Sequence, residues 1–156
     1  LPRAWIVHRI KPVETQAQSL SATLTNGFDP SDEAIVVGFD LKATEVDGID
    51  QVKITYYSEN ELRMKIFSET GGLLVLSENY YEPGWLAEVD GVETPIYQTN
   101  HVLRSVYIPS GDHSVKFVYN DSTFKNARLI SRTALISTIL SIGIILGLPL
   151  IRRSKQ

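Results

Sequence analysis

Cysteine is absent from the 156 residues, which excludes disulfides, thiolate metal sites and a cysteine nucleophile together. Either side of a membrane suits such a chain, so cysteine usage names no redox compartment. Glycine-rich phosphate cradles are missing too. Basic residues are scarce where most of the chain lies. Residues 1–124 carry 9 Lys+Arg against 18 Asp+Glu (−9), while residues 125–156 carry 6 Lys+Arg and no acid (+6), which together give the formal −3. An acidic body offers no footprint for a phosphate backbone, so nucleic acid is excluded as a partner. With 43% hydrophobic and 21% charged residues, the composition is that of a folded protein.

What is present divides the chain into four parts. Residues 133–151, TALISTILSIGIILGLPLI, are 19 residues without a charge. As a helix rising about 1.5 Å per residue they reach roughly 28 Å, about the hydrocarbon thickness of a bilayer. Lys125, Arg128 and Arg132 precede the run, and Arg152, Arg153 and Lys155 follow it. The expected organisation is therefore an extramembrane domain over 1–124, a basic juxtamembrane segment over 125–132, a transmembrane helix over 133–151 and a basic tail over 152–156. The flanking cations tie at three each, so charge does not set the orientation. No cleavable leader is recognisable ahead of the folded region, and two arrangements fit: a tail-anchored protein, or the C-terminal piece of a longer polytopic one. Gly143 and Gly147 form G-x-x-x-G, with Ser137 and Ser141 at the same spacing. Small residues four apart let a second helix approach closely, which makes these four the helix-packing candidates. The partners implied are membrane lipid and other transmembrane segments.

The extramembrane part reads as mainly β. Ala4 to Ile10 is β-branched and aromatic, a strand ended by Pro12; Glu14 to Thr25 places Ala17, Leu20 and Leu24 at helical spacing; Ala34 to Gly38 is a short buried strand. From Gln51 the period becomes two. Val52, Ile54 and Tyr56, then Leu62, Met64 and Ile66, alternate with polar neighbours as in half-buried strands. Leu73 to Leu76 is apolar on both faces and so central. Pro83-Gly84 and Asp90-Gly91 are turn signals, the second a two-residue hairpin. Val102 to Ile108 and His113 to Tyr119 alternate again. Six or seven short strands in a meander predict an antiparallel β-sandwich with a small N-terminal strand–helix–strand segment at one side or edge.

These residues carry a resemblance. Glu78-Asn-Tyr-Tyr-Glu-Pro-Gly-Trp85, Ala87, Val89-Asp-Gly91, Pro95-Ile-Tyr97, Asn100, Leu103-Arg-Ser-Val106, Ile108-Pro109, Gly111, His113, Val115, Phe117 and Tyr119 resemble a motif near the C-terminus of the YfhO-type bacterial membrane proteins. Leu1-Pro-Arg-Ala4 and Phe28-Asp-Pro30 resemble the start of the same module. The chain departs from the motif by Glu82, inserted before Pro83, and by Leu103, where an aromatic is usual. The resemblance implies an extracytoplasmic domain at the bacterial inner membrane with a cytoplasmic tail. It also implies kinship with membrane glycosyltransferases that use lipid-linked sugars, whose catalytic acids lie in loops that nothing here matches. It transfers no catalytic role.

Candidate chemistry is sparse. His8, His101 and His113 share no metal-ligand spacing. Ser110-Gly-Asp-His113 lacks the strand–turn–helix context of a nucleophile and reads as turn chemistry. Acid neighbours such as Glu59 with Glu61, or Glu88 with Asp90, read as solvated surface, and Asn120-Asp-Ser122 matches a glycosylation sequon at chance level. No catalytic residue, cofactor site or metal site is assigned. The rings remain. Trp85 shares a strand face with Ala87 and Val89 and is expected in the core, with Tyr80 within reach of it; Tyr81 and Tyr97 are better placed at a rim where a ring stacks on a sugar. Tyr81, Tyr97 and Trp85 are weak ligand-stacking candidates. The expectation is a non-catalytic, membrane-anchored interaction or scaffolding module, an accessory subunit or C-terminal piece of a larger assembly such as a respiratory or photosynthetic complex. The alternative is a sugar- or lipid-head-group-binding domain of a membrane glycosyltransferase.

Overall fold

The computed structural model of the chain describes residues 1–39, 46, 48–81, 83–120 and 130–139. The chain divides into two units, Leu1–Asn120 and Asp121–Gln156. In the first, the strands are β1 (Ala4–Val7), β2 (Arg9–Val13), β3 (Glu33–Val37), β4 (Asp50–Tyr57), β5 (Glu61–Ser68), β6 (Gly72–Asn79), β7 (Trp85–Val89), β8 (Val92–Thr94), β9 (Tyr97–Thr99), β10 (Leu103–Ile108) and β11 (Gly111–Tyr119), with one helix, α1 (Gln16–Thr23). They form a six-stranded sheet ordered β1-β6-β10-β9-β3-β2 and a five-stranded sheet ordered β4-β5-β11-β7-β8. Two sheets of alternating strands are the expected β-sandwich, but the path is no meander. After the β4–β5 hairpin the chain crosses to the first sheet for β6, returns for β7 and β8, crosses again for β9 and β10, and ends in the second sheet with β11.

The inner faces meet in a core that includes Ile6, Leu62, Met64, Ile66, Leu74, Leu76, Val106, Ile108, Val115 and Phe117. On the six-stranded sheet's other face, Trp5, Val7, Ile10, Val36, Phe39, Leu73 and Val75 form a second cluster. This is why Leu73 to Leu76 shows no alternation: β6 is an interior strand buried on both faces.

Four expectations need correcting at the N-terminus. The predicted first strand is two, broken at His8. Pro12 lies inside β2 and does not end it; β2 is a sheet edge, where a missing N–H costs no ladder bond on the open side. The strand–helix–strand segment also makes the sandwich mixed, because β2 and β3 pair in parallel, Arg9 opposite Glu33 through Val13 opposite Val37, the connection that a helical crossover permits. Finally, α1 does not bury its expected face. Leu20 is 40% and Leu24 75% exposed, and Ala17 is exposed, whereas Ser19 is fully buried. The Ser19 hydroxyl accepts from the His101 N–H at 3.0 Å, so a polar side chain anchors the helix. The helix starts at a capping box: Thr15 accepts from Gln18 N–H, and the Gln18 side chain accepts from Thr15 N–H.

β4 is an edge strand whose Tyr56 and Tyr57 are both exposed, with a register shift between Ile54 and Tyr56; such a bulge blunts an open edge. The Asp90-Gly91 signal is borne out. Asp90 has φ 53° and Gly91 φ 81°, both positive as a type I′ hairpin requires.

In the second unit, residues 130–139 are helical. Thr133 and Thr138 turn their hydroxyls back onto the carbonyls of Ile130 and Ala134, each at 2.9 Å, which satisfies them without solvent. Among the described residues no helix is long and apolar enough to cross a membrane. The expected span over 133–151 falls mainly outside them, as do Ser141, Gly143 and Gly147; Ser137 lies within the helical stretch.

Candidate functional site

The stretch that follows β6 builds the site. The register shift between Leu103 and Arg104 at the start of β10 re-aims a charged side chain toward the interior. Arg104 is 2% exposed, the largest fully buried side chain of the first unit. Its Nη2 pairs with Glu78 Oε2, and Arg3 Nη1 reaches the other oxygen of the same carboxylate at 3.1 Å. The guanidinium lies 3.9 Å from the Trp85 ring centroid and 5.4 Å from that of Phe117, within cation–π range. Burial pushes the Arg104 pKa below its ordinary value, and the Glu78 carboxylate opposes that shift. One donor is left over: Arg104 Nε is buried with no hydrogen-bond acceptor.

Trp85 sits at the start of β7, against the Tyr119 ring edge-on at 5.5 Å. Gly84 makes that approach possible. Its φ is +97°, and a Cβ there would lie 2.7 Å from Tyr119 Cε2. Beside this stack is a cavity of about 240 Å³ lined by Tyr80, Tyr81, Trp85, Glu93, Thr94 and Arg104, with Leu86, Ala87, Pro95 and Ile96 completing the wall. Tyr81 stands at its rim, 57% exposed, and Glu93 is exposed on the short edge strand β8.

The three ring candidates therefore separate. Tyr81 and Trp85 line one cavity. Tyr97 faces the opposite side of the crossing segment, 5.1 Å from the Phe39 ring, and lines a different, largely apolar hollow with Tyr107, Val92 and Pro109. Trp85 has both of its possible roles, packing on the inter-sheet core while presenting part of its ring to the cavity.

The profile of the family described as "Bacterial membrane protein YfhO" matches residues 41–131. That is more than half of the 156 residues. The chain belongs to the YfhO family. Among curated proteins, and among solved structures, none matches it.

Within this YfhO-family module the remaining candidates lie apart. His8 donates from Nε2 to Asp50 Oδ2 at 2.7 Å, and the Ser68 hydroxyl donates to Asp50 Oδ1 at 2.6 Å, an internal tie between the start of β4 and the β1–β2 junction. His101, at φ 69°, belongs to the turn before β10. His113 donates from Nδ1 to Asp90 Oδ2 at 2.6 Å and from Nε2 to the Ser110 carbonyl at 3.3 Å. The Asp90 bond raises the His113 pKa above its ordinary value. Asp90, bonded to His113 and to the Ser114 N–H, is held below its own. His113 thus meets the Ser110 carbonyl and not its hydroxyl, so the Ser110–His113 run is a structural turn. Glu61 pairs with Arg63, and Glu88 with Lys116. Among the described residues no three His, Asp or Glu side chains gather as a metal site would require.

Sequence reasoning missed Arg104 and Glu93. Arg104 left two signals, a charge at an apolar position of the alternating Val102–Ile108 run and its place in the Leu103–Val106 segment of the family motif. Glu93 left none, because an acid on a hairpin is ordinarily solvated surface.

Proposed function

We propose that this YfhO-family chain is a non-catalytic module that anchors in a membrane through residues 133–151 and serves as an interaction or scaffolding part of a larger membrane assembly. It would be an accessory subunit or C-terminal piece, with its β-sandwich on the extracytoplasmic side. The observation that carries the reading is the uncharged 19-residue run bracketed by cations, of which the described beginning is helical; a helix of that length matches a bilayer. Gly143 and Gly147, with Ser137 and Ser141, supply the helix-packing face. In the test, the chain is extracted in mild detergent and its native mass is compared with that of Gly143→Leu and Gly147→Leu. Loss of partner spans in the variants supports the proposal; a lone monomer in the unmodified protein overturns it.

A second reading is favoured by the cavity beside Trp85. Its polar groups are a buried guanidinium already held by a carboxylate, together with an exposed acid and rings. Such a set recognises a ligand through stacking and hydrogen bonds. On this reading the module binds a sugar or a lipid head group.

A further inference from the structure

Resting on that second reading, we infer that the cavity between Tyr81, Trp85 and Arg104 takes one uncharged polyhydroxyl ring of pyranose size, and does not take a phosphate. Size comes first. About 240 Å³ lies below the roughly 300–1,000 Å³ of drug-sized sites, so the space suits a single ring.

Charge decides between the head-group chemistries. Arg3 and Arg104 share the Glu78 carboxylate, and Glu93 adds a second carboxylate at the cavity wall. The base among the described lining residues, Arg104, is already paired with Glu78, and Glu93 on the wall is acidic, so an arriving phosphate meets no net attraction, and residues 1–124 are acidic as a whole. A sugar needs no net charge. It needs an aromatic face for its axial C–H groups, an acceptor for its hydroxyl protons and a donor for its oxygens.

Each of these is present. Tyr81 is the ring free enough to stack, 57% exposed, because Trp85 already carries the Arg104 guanidinium against it. The Glu93 carboxylate accepts from hydroxyl donors. Thr94 and Tyr81, both residues of the wall, carry hydroxyls that donate to the oxygens of the ligand.

The test uses the full chain in nanodiscs, which avoids sugar-headed detergents. Methyl glucosides, methyl galactosides and N-acetylglucosamine are compared with glycerol phosphate and methyl phosphate, all of which carry carbon-bound protons, by ligand-observed saturation-transfer NMR. The expected result is transfer to at least one neutral sugar and none to either phosphate. Tyr81→Ala and Glu93→Ala, both at exposed positions, each weaken sugar binding tenfold or more, and Tyr56→Ala on the far edge strand leaves it unchanged. Binding of the phosphates without the sugars overturns the inference and leaves the head-group reading standing. Binding of none overturns both. Sugar binding that survives Tyr81→Ala places the ligand elsewhere and also overturns it.

Discussion

Glu78 and Arg104 form an unequal pair, and replacing each in turn exposes the inequality. In Glu78→Gln the guanidinium stays 2% exposed, and among the described residues it has no other carboxylate within ion-pair distance. Leaving a buried charge uncompensated costs about 3–5 kcal/mol. In Arg104→Met the carboxylate keeps Arg3 at 3.1 Å and its side chain is 19% exposed, while the methionine occupies the space between Trp85 and Phe117 that the arginine stem fills. That change costs about 1–2 kcal/mol. Removing both charges together therefore costs about what Arg104→Met costs alone, a coupling of about 3–5 kcal/mol. For a unit of this size each kcal/mol moves the melting midpoint by roughly 3–5 °C. The assay is thermal unfolding of the full chain in a mild detergent, followed by near-ultraviolet circular dichroism of the tryptophans. Glu78→Gln is expected to lower the midpoint by roughly 10–20 °C, and the double variant by less than half of that. If Glu78→Gln proves no more harmful than Arg104→Met, the buried guanidinium is not held by this carboxylate and the reasoning fails.

Three further outcomes are expected. Gly84→Ala meets both a φ of +97° and the Tyr119 ring at 2.7 Å; it should cost about 2–3 kcal/mol in urea unfolding, whereas Gly91→Ala, with open space around it, should cost about 1 kcal/mol. Ser19→Ala, which leaves the His101 N–H without its acceptor, should cost about 1–2 kcal/mol, while Leu20→Ser and Leu24→Ser on the exposed side of α1 should stay within about 0.5 kcal/mol. The His113–Asp90 pair gives stability a pH window. The raised His113 pKa contributes fully below the ordinary value of 6.5 and is lost as pH climbs through its folded value, and the depressed Asp90 pKa contributes above 3.8 and is lost as pH falls below it. Melting midpoints of the unmodified chain should therefore decline on the alkaline side of about 6.5, and that decline should flatten in His113→Gln.

How much of this was legible in the sequence varied with how local the cause was. Period-two alternation named Leu62, Met64 and Ile66, and Val115 and Phe117, as inward-facing, and all five are buried in the core. Asp90-Gly91 named its own turn because the φ requirement is carried by the two residues themselves. The crossing path was illegible, since whether β6 pairs with β5 or with β1 and β10 depends on contacts far along the chain. The helix failed for a related reason. Leu20 and Leu24 sit at the right spacing for a buried stripe, but the chain packs α1 through Ser19, whose partner, His101, is 82 residues away. Tyr81 and Tyr97 were singled out together as rim rings, and nothing in their spacing separated one from the other. The crossing segment at Pro95-Ile96 does that by sending β8 and β9 to different sheets.

The same crossing explains why a framework motif and a cavity occupy one place. A sandwich closes where sheets meet face to face, and it is weakest where the chain passes between them, because the backbone there leaves both ladders. Between β8 and β9 only two residues make the passage, Pro95 and Ile96, too few to cover the gap beside β7. Trp85 and Arg104 fill it from within, the ring against the inter-sheet core and the guanidinium stacked on it, with Glu78 and Arg3 balancing the charge. What they leave unfilled is the cavity under Tyr81. The residues of the Glu78–Trp85 stretch are thus constrained twice, by the need to close the sandwich and by the shape of the space left over. A substitution that damages only the first will lower stability and ligand retention together, whereas Tyr81→Ala, acting at the rim, separates the two.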